Sequence, residues 1–188
     1  MLNRSAEFAG KVAVFDLDGT LVETDSANSA AYRTALRIYG KGGLADMCGR
    51  LTSHVVRATL GEVSASDMDE IVRAKADAYA RELWRTRLGP AAFALRRVLR
   101  NRAAFGKVVL LTDSNERRAH ETLRFHGLDT CFDEFVCNGG VGDKYANYFK
   151  NFDTDPKDSV VWENEWGMAC SAIVAGVCPG NVNIRKAG

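Results

Sequence analysis

Apolar positions fall into two kinds of run along this chain. Short blocks rich in β-branched residues occur at Lys11–Phe15 (KVAVF), 107–111 (KVVLL) and 159–162 (SVVW), with weaker ones at 135–137 and 182–184. Such blocks predict buried strands. The other kind follows a helical period. Tyr32, Leu36 and Tyr39 predict a helix over 26–40, ended by Gly40. Residues 51–60 predict a short helix. Ser66 is placed to cap a longer one, with Asp67, Asp69 and Glu70 in its first turn. Met68, Ile71, Val72, Tyr79 and Leu83 keep its apolar face. Pro90 opens a helix to about residue 104. Asp113 is placed to cap another running to about His126, with Glu116 in the capping-box position and Gly127 as its stop. Residues 167–175 predict a small-residue helix.

Strands alternating with helices predict an α/β fold, a parallel sheet covered on both faces. The helical block 22–87 interrupts the alternation and contains no good strand. The predicted organisation is a core of residues 1–21 and 88–188, with 22–87 inserted after the first strand.

Apolar residues make up 46% and charged residues 26%, which excludes a disordered chain. Twenty-five basic against 24 acidic side chains leave +1, so no global field steers the protein onto nucleic acid or anionic membrane. The one basic run, 81–107, holds eight Arg and Lys against Glu82 and reads as a solvated face. No apolar run approaches the roughly 20 residues of a membrane span, and residues 1–10 lack a signal core. Five cysteines without a CxxC pair suggest neither a zinc knuckle nor a disulfide framework. His54, His120 and His126 show no metal-ligand spacing. The expectation is a cytoplasmic protein, monomer or homodimer, with no nucleic-acid or membrane partner.

In open parallel sheets ligands sit beyond the carboxyl ends of the strands. The residues there are Asp16 and Asp18, then Thr112, then Glu163, with Lys144 in a loop between the last two. Asp16 and Asp18, two apart at a strand end, can point into one site. Two anions so close call for a cation between them, and oxygen ligands suit Mg²⁺. Gly19 lets the chain turn away. The alternative is an Asp-Gly turn that merely ends a strand.

VFDLDGTLVET at 14–24 resembles the first motif of the haloacid dehalogenase-like superfamily of phosphotransferases. LLTDSN at 110–115 is similar to its second motif, Lys144 stands where the third-motif lysine would, and 155–177 resembles the fourth-motif region. FHGLDTCFDEFV at 125–136 resembles the usual link between the second and third motifs. The resemblance implies a Rossmann-like core with an inserted small helical cap. It implies Asp16 as nucleophile, forming an aspartyl-phosphate, and Asp18 as the acid and base for the leaving oxygen and the hydrolytic water. Thr112 and neighbouring N–H groups would hold phosphoryl oxygens, and Lys144 would neutralise charge. Gly19, Thr20, Asp113 and Ser114 would contact substrate. Mg²⁺ would bind Asp16, the Asp18 carbonyl and Glu163. A carboxyl at Asp18 suits an oxygen leaving group, so a phosphate ester is expected rather than a haloacid or phosphonate.

Two motifs depart from the family. Gly-Asp or Glu-Asp is usual where this chain has Trp162, Glu163, Asn164 and Glu165. Glu is a methylene longer than Asp, which strains a metal site built for Asp. Trp162 either crowds the site or packs in the core. Lys144 is followed by YANY instead of a proline-containing stretch. Residues 48–62 resemble the cap of the β-phosphoglucomutase and phosphoglycolate phosphatase branch, which would turn Arg50 towards substrate. Thr24, Asp25 and Asn28 lie near the cap hinge. The expected function is Mg²⁺-dependent hydrolysis of a small phosphorylated metabolite: a sugar phosphate, phosphoglycolate or nucleotide. The alternatives are a phosphoglucomutase-like phosphotransferase and a non-catalytic protein on the same scaffold.

Overall fold

A computed structural model describes residues 8–46, 49–60 and 64–184. Cys48, at the start of the cap-like stretch, lies outside them. The chain divides into two compact units, Thr24–Arg87 and the chain on either side of it.

The larger unit is built on five parallel strands: β1 (Lys11–Phe15), β4 (Phe105–Thr112), β5 (Glu134–Cys137), β6 (Ser159–Glu163) and β7 (Val182–Ile184). Their spatial order is β5-β4-β1-β6-β7, so β1, the first strand in sequence, lies at the centre. Its side chains alternate between two apolar cores, as the period of two requires. Ala13 and Phe15 join Leu110, Val160 and Trp162 beneath Leu95, Val98, Ala119 and Leu123. Val14 joins Val109, Leu111 and Val161 on the other face, beneath Tyr145, Tyr148 and Ala172. Helices α5 (Ala92–Arg100) and α6 (Glu116–Phe125) cover the first face; α7 (Lys144–Asn151) and α8 (Trp166–Val174) cover the second. This is a Rossmann-like sheet with helices on both faces.

The second unit holds α1 (Asp25–Ile38), α2 (Gly42–Ala45), α3 (Ser53–Leu60) and α4 (Ala65–Glu82). Tyr32, Leu36, Leu51, Val56 and Met68 form one small core; Ala27, Ala31, Ala78 and Tyr79 form another. Lys75 is buried with its ammonium 5.0 Å from the Tyr32 ring centre and 5.4 Å from that of Tyr79. Two-residue strands β2 (Val22–Glu23) and β3 (Arg87–Leu88) pair as a separate ribbon.

Several boundaries differ from the pattern-based expectation. The cap of α4 is Ser64, whose hydroxyl accepts from Asp67 N–H at 3.1 Å, and not Ser66. The cap of α6 is Asn115, which accepts from Arg118 N–H at 2.9 Å; Asp113 instead accepts from Asn138. Lys144 opens a helix and does not lie in a loop, because Asp143 caps α7 by accepting from Ala146 N–H at 2.9 Å. The helix opened near Pro90 ends at Arg100, before a 3₁₀ turn at Arg102–Ala104.

Much of the basic run is paired within the protein. Arg85 binds Glu82, Arg102 binds Asp133, Lys107 binds Glu134, and Arg81 donates to the Asp77 carbonyl. Among the described residues Cys131, Cys137, Cys170 and Cys178 are free thiols. Among the described residues no helix is long and apolar enough to cross a membrane.

Candidate active site

The carboxyl ends of β1, β4 and β6 bring the candidate residues together in the larger unit. Asp16 follows the fully buried Phe15 and is itself only 5% exposed. Its Oδ1 accepts from Lys144 Nζ at 2.7 Å and its Oδ2 from the Thr20 hydroxyl at 2.8 Å. Lys144, projecting from the first turn of α7, also lies 2.9 Å from Glu163 Oε2. One ammonium thus bridges two buried carboxylates and leaves one negative charge uncompensated.

Titration of these groups follows from that balance. Burial pushes Asp16 up to about 7; Lys144 opposes the rise, while Glu163 and Asp18 add to it. Burial alone would lower the Lys144 ammonium, but Asp16 and Glu163 hold it well above its ordinary value. Burial and then the Glu163 and Asp16 charges raise the Tyr145 phenol far above its ordinary value, so it stays a donor.

Asp18 is turned to a different set of partners. Ser114 donates to its Oδ2 at 2.5 Å, and the Arg118 guanidinium pairs with its Oδ1. Asp18 is therefore held by the turn after β4 and by the first turn of α6. Thr112, fully buried at the end of β4, shapes that turn: its hydroxyl oxygen accepts from Ser114 N–H at 3.1 Å. Asp113 is exposed and tied to Asn138 in the loop after β5, at 2.7 Å.

Gly19 has φ +75°, and a Cβ there would stand 2.2 Å from Asn164 Nδ2. The positive φ calls for glycine, and a Cβ would also push the Asn164 amide aside. The close approach lets Asn164 Oδ1 sit 3.0 Å from Thr20 Oγ1. Trp162 takes no part in the site. It stacks on Phe15 with ring centres 4.3 Å apart and planes 6° from parallel, in the core on the opposite face of the sheet from Asp16. Arg50 pairs with Asp25 at 2.8 Å within the second unit, and both side chains are half exposed or more. Asn28 there donates to the Leu51 carbonyl at 3.1 Å, and Thr24 is buried.

Glu163 does not offer a free oxygen to a cation. Its Oε2 takes Lys144 and, at 2.9 Å, the Tyr145 hydroxyl; its Oε1 takes the N–H groups of Asn164 and Glu165 at 2.9 and 3.3 Å. Among the described residues no three His, Cys, Asp or Glu gather where they could hold a metal ion. The side chains present do not fit a divalent cation held between Asp16 and Glu163.

Arg118, Tyr145 and Asn164 carry no assigned role in the sequence reading. Tyr145 was legible only as the residue replacing the usual third-motif pattern. Asn164 stood in the altered fourth motif. Arg118 gave no local signal, since its partner lies 100 residues away.

A buried carboxylate–lysine pair thus lies at the carboxyl end of a parallel sheet, with a second aspartate two residues on. The haloacid dehalogenase-like hydrolase family matches residues 13–165, and the chain belongs to that family of enzymes. No curated protein sequence matches it. Among solved structures it is similar to CbbY from Rhodobacter sphaeroides in complex with phosphate: 18% identity, TM-score 0.69, covering 89% of this chain and 84% of that one. It is similar to a protein from Haemophilus somnus 129pt described as a predicted phosphoglycolate phosphatase: 17% identity, TM-score 0.69, covering 92% and 84%. A haloacid dehalogenase-like hydrolase from Streptococcus pneumoniae shares 16% identity at TM-score 0.63, covering 89% and 82%.

Proposed function

We propose that this protein is a phosphatase that hydrolyses a small phosphomonoester through an aspartyl-phosphate on Asp16. The observation that carries the reading is Lys144 Nζ at 2.7 Å from Asp16 Oδ1, with both groups buried and Asp18 held two residues on. Ionised Asp16 attacks phosphorus in line, forming an acyl phosphate as the bond to the leaving oxygen breaks. Asp18 gives that oxygen a proton. It then takes a proton from the water that attacks the acyl phosphate, and phosphate and free Asp16 result. Lys144 stabilises the charge gathered on Asp16 and the phosphoryl oxygens. Phosphoryl transfer asks mainly for position and charge, which these residues supply.

The family resemblance brings an expectation of Mg²⁺, but no step here is routed through a metal, since Glu163 is already committed. The substrate is a small phosphorylated metabolite rather than nucleic acid, in keeping with the near-neutral charge and the internal pairing of the basic run. The neighbour named as a phosphoglycolate phosphatase and the one holding phosphate agree with this class. The inserted helical unit is the cap that selects the substrate, with Arg50 as its candidate contact, as in the β-phosphoglucomutase and phosphoglycolate phosphatase branch.

The test is release of p-nitrophenol from p-nitrophenyl phosphate by wild type and Asp16→Asn, with and without Mg²⁺. Turnover that disappears in Asp16→Asn is expected. Turnover that survives the substitution sinks the assignment. A requirement for a sugar bisphosphate would move it to a phosphotransferase.

A further inference from the structure

We propose that Asn138 and Asn147 are positioning residues: together they clasp the loop between β5 and α7 and so hold Lys144 in place against the turn after β4. The proposal rests on the phosphatase reading, in which Lys144 stabilises the charge on Asp16 and the phosphoryl oxygens.

The chain leading to Lys144 does little to hold itself. Of the five residues between Asn138 and Lys144, three are glycines, all with positive φ: +64° at Gly139, +74° at Gly140 and +64° at Gly142. Glycine has the most freedom to lose on ordering. Val141, between them, is 73% exposed, so burial does not anchor the loop. Tyr145 and Tyr148 press α7 onto the sheet, but apolar contact is non-directional. Where the first turn of α7 begins is left to directional bonds.

Asn147, one turn on from Lys144, supplies them. Its Nδ2 donates to the Val141 carbonyl at 2.8 Å and to Asn138 Oδ1 at 2.9 Å. Asn138 Nδ2 donates in turn to Asp113 Oδ1 at 2.7 Å, and its backbone N–H to the Thr112 carbonyl at 2.8 Å. The two ends of this chain settle which way both amides face. A carbonyl and an ionised carboxylate only accept. Val141 therefore takes the NH₂ of Asn147, and Asp113 takes the NH₂ of Asn138. The Asn138 oxygen is left facing Asn147, which has a proton to give it, so the two ends agree. On its other side α7 is tied by the Ser171 hydroxyl of α8, which donates to the cap residue Asp143. The Asn138 tie leads to the Thr112–Ser114 turn, whose Ser114 holds Asp18. One polar chain thus joins the seat of Lys144 to the seat of Asp18, where small displacements are costly to the rate.

The test is steady-state hydrolysis of p-nitrophenyl phosphate beside the NMR resonance of the Lys144 ammonium. Asn138→Asp opposes two carboxylates, and Asn147→Ala removes both donations without adding charge. In each, kcat should fall roughly tenfold while KM stays within about threefold, because both asparagines act through Lys144. Adding Asp113→Asn to Asn138→Asp exchanges donor and acceptor between the two positions and restores the net charge. It should recover about threefold or more of the lost kcat, whereas Asp113→Asn alone should not raise kcat. A general loosening of the fold gives no such rescue. The Lys144 resonance should move in Asn138→Asp and Asn147→Ala and return in the double variant. A kcat loss below threefold in both single variants overturns the proposal. So does an effect confined to KM, or a double variant no faster than Asn138→Asp. Wild type that turns over nothing sinks the phosphatase reading instead. The clasp is then decided on the Lys144 resonance, and one unmoved in Asn147→Ala overturns it.

Discussion

The Arg118 guanidinium pairs with the carboxylate of Asp18, and Ser114 holds the other oxygen of that carboxylate. Asp18 is thereby kept in one orientation while Asp16 is held by Lys144 and Thr20. The two acids of the DLDGT motif are sorted by their partners into a buried one, the proposed nucleophile, and a more accessible one, the proposed proton carrier.

This sorting makes Arg118 a positioning residue. Arg118→Met releases one Asp18 oxygen and should lower kcat by roughly 10- to 100-fold, the usual cost of a misplaced group. KM should change less, because Arg118 acts through Asp18. Stability should fall by roughly 1–3 kcal/mol, between the cost of breaking an exposed pair and a buried one, since the side chains are 17% and 24% exposed. Steady-state kinetics beside denaturant unfolding separate the effects; unchanged kcat removes Arg118 from the mechanism.

Asp16 gives a pH dependence of known sign. Its pKa rises on folding from 3.8 to about 7, with burial the largest cause. Between those values the native state binds a proton that the unfolded chain has lost. Stability from this group is full below the unfolded value and is lost as pH rises through about 7. Asp16→Asn removes the titration. In metal-free protein its Tm relative to wild type should therefore climb from pH 5 to pH 8 and level off above. A flat difference refutes the shift. The same ionisation should give kcat/KM an acidic limb near neutrality, because only the carboxylate attacks.

Lys144 is 3% exposed on its side chain and is the cation shared by Asp16 and Glu163. Lys144→Met leaves two buried carboxylates facing each other. Breaking a buried pair in this way costs roughly 3–5 kcal/mol. Turnover should vanish as well. The double variant Lys144→Met with Glu163→Gln removes one of the stranded charges, so it should recover part of the stability and none of the activity. Urea unfolding of the three proteins measures the recovery; a double variant no more stable than Lys144→Met alone contradicts the shared-cation geometry.

What the sequence made legible follows from the distance over which each feature is encoded. Residues 11–20 carry a β-branched strand, two carboxylates and a turn glycine in one contiguous stretch, so both the strand end and its chemistry could be read together. Helix α7 was missed because Tyr145, Tyr148 and Phe149, though at helical spacing, are weak helix formers, and its cap Asp143 follows three loop glycines at 139, 140 and 142. For α6, Asp113 and Asn115 are both good caps two residues apart, and only the bond from Asn138 to Asp113 decides between them. Strands β2 and β3 are two residues each, too short to show a period. The Glu163–Tyr145 and Arg118–Asp18 pairs depend on how α7 and α6 are seated on the sheet, which no local pattern encodes.

Gly19 and Asn164 supply a further prediction, in which two costs can be separated. Gly19→Ala places a Cβ at φ +75°, a conformation that costs a non-glycine residue about 1–2 kcal/mol. It also drives that Cβ onto Asn164, 2.2 Å from Nδ2 and 2.9 Å from Cγ. The amide can move, but only by giving up its 3.0 Å contact with Thr20, worth about 1 kcal/mol. Asn164→Ala loses that contact too and leaves space for the new methyl group. Combining Gly19→Ala with Asn164→Ala should therefore cost about 1 kcal/mol less than the sum of the single variants, the backbone strain remaining as the residue. Strictly additive losses in denaturant unfolding would mean that Gly19 serves only its backbone angle. Full rescue would mean that the angle costs nothing and that the close approach of Asn164 is the whole reason for glycine.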